Sequence, residues 1–231
     1  DSAYYKLIEQ YKLPQYKNWI TSRLFNDNWL KISGKDYSIT LDPYENLSVG
    51  HETTTNSELW ENRRGLYING NFGGKIKIHS FLEEGPIKPE PFITEYIKKN
   101  GIIPGDGRVQ NWGGESFGRY LSFGGIEYKA SKFVDLTIAH GKNFLGDGYR
   151  SLFLSDIGPG YLFGRMDFHF GKKINYTAII SEFTGPNIQK KYGSYHYLDI
   201  AVNKNLHLSL FEGVIWGGDS AARNTLELNY F

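Results

Sequence analysis

The sequence predicts an all-β protein, an antiparallel transmembrane β-barrel that follows a short helical segment. Three observations predict this fold. From about Tyr37 onward, apolar and polar residues alternate with a period of two, which is typical of strands with one apolar face. The predicted strands are about ten residues long, as in a tilted strand that crosses a membrane. Very short turns alternate with longer connections, the arrangement of bacterial outer-membrane barrels.

The first element, residues 1–36, is predicted to be a periplasmic helical segment. Pro14 divides it into two short helices, Asp1–Leu13 and Gln15–Phe25. The first helix is predicted from apolar residues at helical spacing, which are Tyr4, Leu7, Ile8 and Tyr11. The chain opens without a charged-then-apolar leader, so we expect that a leader has been removed or that the chain starts within a longer protein.

The second element, residues 37–231, is predicted to be the barrel, and we expect it to be part of a larger one. Its ten predicted strands are Glu45–Thr53, Arg64–Phe72, Lys75–Glu83, Phe117–Lys129, Phe133–His140, Tyr161–Phe170, Ile174–Phe183, Tyr195–Val202, Leu206–Trp216 and Asn224–Phe231. The longer connections between hairpins are predicted at Thr54–Arg63, Glu84–Ser116, Gly141–Gly160, Thr184–Ser194 and Gly217–Arg223. Gly124-Gly125 interrupts the alternation, which predicts a bulge or bend in the wall.

Composition argues against several classes of protein. The net charge is only +1, whereas a nucleic-acid binder needs a concentrated basic surface. The chain has no cysteine, which excludes thiolate metal sites and disulfides. Its six histidines are dispersed without a metal-binding spacing, so we predict no metal site. No run of apolar residues is long enough for a transmembrane helix.

No linear motif indicates an enzyme. A Gly-x-Ser-x-Gly nucleophile turn does not occur, and Gly141-Lys142 is followed by Asn143 where a phosphate-binding loop needs Ser or Thr. We therefore predict a protein without catalytic residues and without a cofactor. A hydrolase whose site assembles from separate strands leaves no linear motif, so this alternative stays open.

Charged residues in the polar phase of the strands are predicted to face the lumen. A mixed ion-pair network that fills a narrow interior is one interpretation, because unpaired buried charges are costly. A polar channel wall or a sugar-binding groove is the other. The predicted network consists of Arg119, Asp135, Arg165, Asp167 and His169, together with Lys75, Lys77 and Asp199.

The run from Gly141 to Asp156 is glycine-rich and is the most distinctive segment of the chain. One interpretation is a folded extracellular loop whose glycines supply positive φ angles and whose charges pair locally. The other is a loop that contacts glycans, with Lys142 and Arg150 facing acidic sugars and Tyr149 stacking on a ring. The candidate ligand-binding residues are Lys142, Asp147, Tyr149, Arg150 and Asp156.

This run resembles the signature of the Wzi-like capsule-assembly family and, most of all, of RemB-type gliding-motility outer-membrane proteins of Bacteroidota. Other segments that agree in the same order are Asp36-Tyr37 with Asp42-Pro43, Asn62–Leu66, Ile103–Gly107, Lys191–Leu198 and Leu210–Val214. The resemblance spans most of Trp19 to Phe231. It implies an outer-membrane barrel of a Gram-negative bacterium with a periplasmic helical portion. The resemblance also implies family members longer than this chain and a longer loop at residues 184–190.

The resemblance implies a role in the assembly or attachment of surface or capsular polysaccharide, or in gliding. Outer-membrane lipid, surface polysaccharide and other envelope proteins are the expected partners, and nucleic acid is not. Two other interpretations stay open. The first is a non-catalytic membrane anchor or scaffold subunit of a larger envelope complex, and the second is a general porin.

Overall fold

A computed structural model describes residues 18–25, 27–184 and 190–217 of the chain. In chain order its elements are α1 Trp19–Phe25, β1 Leu30–Ser33, β2 Tyr37–Glu52, β3 Ser57–Phe72, β4 Ile76–Lys88, α2 Pro91–Asn100, β5 Ile102–Ile103, β6 Gly107–Arg108, β7 Gln110–Gly113, β8 Ser116–Lys129, β9 Val134–Gly141, β10 Tyr161–Phe170, β11 Ile174–Thr184, β12 Lys190–Asn203 and β13 Leu206–Gly217. No helix in these ranges combines the length and the apolar character needed to cross a membrane.

The strands form one large antiparallel sheet, which confirms the predicted all-β antiparallel class. The strand order is β1-β2-β3-β4-β8-β9-β10-β11-β12-β13, so almost every strand pairs with its neighbour in sequence. β7 pairs with β8 outside this order, and β5 and β6 form a separate hairpin. Antiparallel strands that are neighbours in sequence can be joined by tight turns. The short turns predicted between the period-two segments agree with this strand order.

Nine of the ten predicted strands are confirmed, because each lies within or against an observed strand of the described ranges. The tenth, Asn224–Phe231, lies outside those ranges, as do the helix Asp1–Leu13 and most of the connection after Gly217. Helix α1 confirms the second half of the predicted helix Gln15–Phe25. The division of the chain at residue 36 stays a prediction.

The predicted loop Thr54–Arg63 is wrong, because β2 and β3 continue as 16-residue strands to a turn at residues 53–56. Asn56 takes a positive φ of 53° in this turn, a conformation that asparagine tolerates. Within β2, Pro43 lies past Leu41, where the ladder from β1 ends. Sheets accept proline at such edge positions.

The connection predicted at Thr184–Ser194 is also shorter, because β12 already begins at Lys190.

The predicted connection Glu84–Ser116 is wrong in part, because it contains regular structure. β4 runs on to Lys88 through Gly85, where an added Cβ would lie 2.0 Å from the carbonyl oxygen of Asn62. Helix α2 then begins at Pro91, a favoured first helical residue. It ends at Gly101, whose left-handed backbone lets its N–H donate to the Ile97 carbonyl at 2.7 Å.

Of the bulge or bend predicted at Gly124-Gly125, the bulge is wrong, because both residues keep a regular register with β4 and β9. Gly125 instead permits a close approach of β9, since an added Cβ would lie 2.3 Å from the Cβ of Ala139. A glycine in a strand can mark either feature, and the sequence does not distinguish them.

The connection between β9 and β10, residues 142–160, folds back over one face of the sheet, which we call the covered face. A bridge between Leu145 and Leu154 closes this connection, with a backbone N–H to O distance of 3.0 Å. Leu145 packs there with the buried residues Ala139, Phe163, Ile179 and Tyr195. We call the opposite side the open face. Antiparallel register partners point to the same face, so pairing assigns every strand residue to one side.

A second apolar cluster lies where the long connection after β4 returns to the sheet. Ile87 and Phe117, at the ends of β4 and β8, pack with Ile97 of α2 and Ile103 of β5. Each of these side chains is at least nine-tenths buried. The connection is therefore anchored by packing, like the 142–160 segment.

Candidate functional site

The covered face carries a row of polar side chains that crosses six neighbouring strands from β2 to β10. Register places each member directly opposite the next, over a span of roughly 24 Å at the usual strand spacing. We call this set the polar row, and it consists of Ser38, Asn71, Lys77, Glu127, Thr137 and Arg165.

A groove follows the polar row. Its largest part is a cleft of about 780 Å³ over β4, β8, β9 and β10. A second part, of about 470 Å³, shares Lys77, His79 and Glu127 with this cleft and continues over β2 and β3. A third part, of about 420 Å³, continues to β1 and the turn that follows it. We call the three parts together the groove.

The cleft contains more cations than carboxylates. Its cationic lining residues are Lys75, Lys77, Lys129, Lys142 and Arg165, and its carboxylates are Glu127, Asp135 and Asp167. With the histidines neutral, the lining has a net charge of +2. Such an excess in a concave site attracts anions.

The carboxylates of the cleft have cationic or imidazole neighbours. Asp167 accepts hydrogen bonds from Arg165 Nε at 2.7 Å and Nη2 at 2.8 Å, and from the Thr177 hydroxyl at 2.6 Å. Asp135 lies 3.0 Å from His169 Nε2. His169, on β10, also lies 2.9 Å from the Asn175 side-chain oxygen through Nδ1. These charges therefore hold one another in position.

The lysines of the cleft are different. In the part of the chain that the structure describes, Lys75, Lys77 and Lys129 are exposed and form no ion pair within 4.0 Å. Lys142 donates to the Gly105 carbonyl at 3.1 Å, and its Nζ lies 5.9 Å from the centre of the Phe123 ring. All four ammonium groups are thus positioned to meet an anion without first breaking a salt bridge.

Away from the cleft, the groove ends at β1 among Lys31, Lys35 and Asp36. Between this end and the cleft, the part over β2 and β3 adds hydroxyl, amide and aromatic side chains, which are Ser38, Thr40, Tyr67, Asn69 and Asn71. These groups both donate and accept hydrogen bonds. The groove therefore has a neutral half over β2 and β3 and a cationic half over β4, β8, β9 and β10.

Of the predicted lumen network, the structure brings together Asp135, Arg165, Asp167 and His169 and places Arg119 elsewhere. Arg119 Nε lies 2.6 Å from Asp106, and its Nη1 lies 3.4 Å from Glu83. Glu83 is 5 % exposed and also accepts from Arg63 at 2.6 Å. The alternation of polar residues predicts which face of the sheet a residue lies on, but not which residues of other strands lie next to it. The sequence therefore could not separate the Arg119–Glu83 cluster from the Arg165–Asp167 cluster.

The predicted loop residues are also divided. Lys142 lines the cleft, whereas Asp147, Tyr149, Arg150 and Asp156 are exposed and do not line it. Tyr149 and Arg150 are neighbours, with the guanidinium 6.0 Å from the ring centre.

Backbone geometry holds this loop in shape. Gly146 has a φ of 112°, and the Ser151 side chain donates to the Leu145 carbonyl. The 142–160 segment is therefore a folded loop, and the predicted contact of its residues with glycans stays a prediction.

Several groove residues were not predicted as site residues, although the alternation of their strands placed them on the polar face. His79, Glu127 and Lys129 belong to the polar phase of strands that were assigned correctly. Ser38 and Thr40 were missed because β2 was predicted to begin only at Glu45. Asp199, predicted to face the lumen, lies on the covered face, with its carboxylate 2.9 Å from Ser209 and 3.3 Å from His207.

Comparison of the chain with protein-family models, with curated proteins and with solved structures finds no match. No group of three or more His, Cys, Asp or Glu side chains arranged for a metal ion occurs within the ranges that the structure covers. The predicted absence of metal, cofactor and catalytic residues stays a prediction. The function must therefore be argued from the two faces of the sheet.

Proposed function

We propose that this protein is an outer-membrane β-barrel that contributes to the assembly or attachment of surface polysaccharide, or to gliding. The observation that carries the membrane part of the proposal is a row of isoleucines on the open face. The row passes from β1 to β11 through Ile32, Ile39, Gly70, Ile78, Ile126, Ile138, Gly164 and Ile180. We call it the isoleucine row.

The isoleucine row is widely exposed. Ile126 is 51 % exposed and Ile138 is 70 % exposed, and both lie at the centre of the strand order. The neighbouring rows on the same face expose further large apolar side chains, among them Leu82, Leu162, Phe170, Leu208 and Leu210. Exposed apolar side chains in this number indicate an apolar environment, and hydrocarbon supplies one.

Polar groups flank the apolar surface at the loop end. Arg64 and Glu84, which lie 3.8 Å apart on the open face, meet Tyr120 at this border. Tyrosine and charged residues are typical of the membrane interface. His196 and Glu212, opposite each other on β12 and β13, interrupt the surface, and the Tyr176 hydroxyl lies 2.7 Å from His196 Nδ1.

The polysaccharide part of the proposal rests on the groove and on the family resemblance. Amides, hydroxyls and an aromatic ring, placed in a groove that crosses six strands, suit an extended polyhydroxylated polymer. The groove lies on the face opposite the isoleucine row, so an inserted sheet leaves it in water. A soluble scaffold has no need of such an apolar row.

Site-directed spin labelling tests the membrane assignment, because the chain has no native cysteine. Ile126→Cys and its chain neighbour Glu127→Cys are labelled in separate variants reconstituted in bilayers. We expect the label at 126 to collide mainly with oxygen, which partitions into lipid, and the label at 127 mainly with a water-soluble nickel chelate. Equal accessibility of both labels to the nickel chelate contradicts the proposal. A heat-modifiability gel then tests barrel closure.

A further inference from the structure

We propose that the groove binds an acidic polysaccharide, with the four lysines of its cationic half facing the anionic groups of the polymer. The inference rests on the proposed function and names the chemical class of the polymer. The lysines are Lys75, Lys77, Lys129 and Lys142.

The charges favour an anionic ligand. Asp167 and Asp135 are engaged by Arg165 and His169, so they offer little attraction to a cation. The exposed Lys77 and Lys129 stand on adjacent strands, each directly opposite a carboxylate residue of the neighbouring strand, without forming an ion pair. An anionic group that enters between them gains attraction from both ammonium groups.

The shape favours a polymer over a small anion. The groove continues from the lysines into the neutral half, where Ser38, Asn69 and Asn71 line the floor. A free phosphate or a single carboxylate would occupy only the cationic half. A chain that carries hydroxyls along its length and acidic groups at intervals matches both halves.

Other polyanions match less well. Single-stranded nucleic acid stacks its bases on a series of aromatic side chains, whereas the described lining of the neutral half holds one aromatic ring, that of Tyr67. A lipid places its acyl chains against an apolar surface, and the apolar surface of this sheet is on the other face. The proposal therefore commits to an acidic glycan.

Binding of the full chain in detergent to polyglucuronate, and to neutral dextran of the same length, tests the inference. We expect polyglucuronate to bind at least tenfold more tightly, with an affinity that falls as salt is added. In Lys77→Gln/Lys129→Gln, polyglucuronate affinity should fall about fivefold per lysine, the loss typical of one surface cation. Dextran affinity should not change.

The control variants separate charge from folding. Lys98→Gln/Lys99→Gln removes two exposed lysines from α2, outside the groove, and should bind like the wild type. Lys77→Arg/Lys129→Arg keeps the charge and should retain tight binding. Asn71→Ala, in the neutral half, should weaken both polymers by a similar factor.

Three outcomes overturn the inference. They are equal affinity for the two polymers, an unchanged polyglucuronate affinity in Lys77→Gln/Lys129→Gln, and binding only to lipopolysaccharide vesicles. The spin-label result is independent of all three. If the protein inserts in bilayers but does not prefer polyglucuronate, only this inference is contradicted. If it does not insert, the membrane assignment is contradicted.

Discussion

The isoleucine row and the polar row cross the same strands one residue apart. On β9 the two rows are represented by Ile138 and Thr137, and on β8 by Ile126 and Glu127. The first row exposes aliphatic side chains, whereas the second includes charges with defined partners. A shift of one position along a strand changes the face, so one sheet can present two surfaces for two environments.

The two faces also differ in how strictly their environment restricts the choice of side chain. On the open face, which we propose contacts hydrocarbon, any apolar side chain of similar size would serve, because contact with an apolar environment is not directional. On the covered face, each buried charge needs a partner at hydrogen-bonding distance, since a buried charge without one is costly. The exposed Lys75, Lys77 and Lys129 have no such requirement. We expect substitutions to reflect this difference.

The largest effect is expected at Glu83, which is paired with Arg63 and Arg119 in the buried cluster of the covered face. Glu83→Ala removes the buried carboxylate that the two guanidinium groups share, which leaves Arg63 with Glu61 alone and Arg119 with Asp106 alone. The substitution should lower the free energy of unfolding by about 3–5 kcal/mol. Urea unfolding in detergent measures this. Glu84→Ala, at the exposed neighbouring residue, is the control and should change stability by less than about 0.5 kcal/mol.

The next largest effect is expected for a charge placed on the open face. Ile138→Arg should destabilise the protein in bilayers by about 2–4 kcal/mol, because it places a charge in hydrocarbon. Thr137→Arg, one residue away, faces the groove and should cost less than about 1 kcal/mol. Equal and small effects of both substitutions in a bilayer unfolding titration would mean that the open face contacts water.

A smaller effect is expected at Asp167, which is partly exposed and accepts three hydrogen bonds. Asp167→Asn loses the charge-assisted bonds with Arg165 and should cost about 1–2 kcal/mol. The same unfolding titration measures it, with Asp147→Asn in the exposed loop as the control. A loss as large as that of Glu83→Ala would show that the groove is as tightly closed as the buried cluster.

The smallest effect is a pH dependence at Glu52, in the hairpin tip beyond the apolar surface. Hydrogen bonds from the Thr55 hydroxyl and from the Thr55 and Thr54 amides lower the pKa of Glu52 from 4.5 to about 2. A lowered pKa means that these bonds stabilise the turn above pH 4.5 and are lost as the pH falls through 2.

The carboxyl resonance of Glu52, followed by NMR, should therefore titrate near 2, and the Thr55 amide shift should follow it. In Glu52→Gln the amide shift should not titrate in this range. A midpoint near 4.5 in the wild type would show that the turn does not hold the carboxylate.

Local patterning predicted most strands because each depends on neighbours in sequence. Strand Tyr161–Phe170 was predicted with its observed bounds, since its alternation is strict and Gly171 follows it. Helix α2 is not predicted although Pro91 and Gly101 mark its ends, because the surrounding turn residues are equally typical of a loop. Gly125 was misassigned, because close packing of two strands and a bulge leave the same trace in sequence.

By itself, the sequence determined most strands of the large sheet and the side of the sheet on which their residues lie, because both follow from the period-two backbone. Only the tertiary structure decided which polar residues share a site. It placed Arg119 with Glu83 and Asp106 rather than with Arg165, and it put Lys142 in the groove but Arg150 outside it. The physical reason is that strand register and the fold of the 142–160 segment, which fix these distances, are set by pairings between residues remote in sequence.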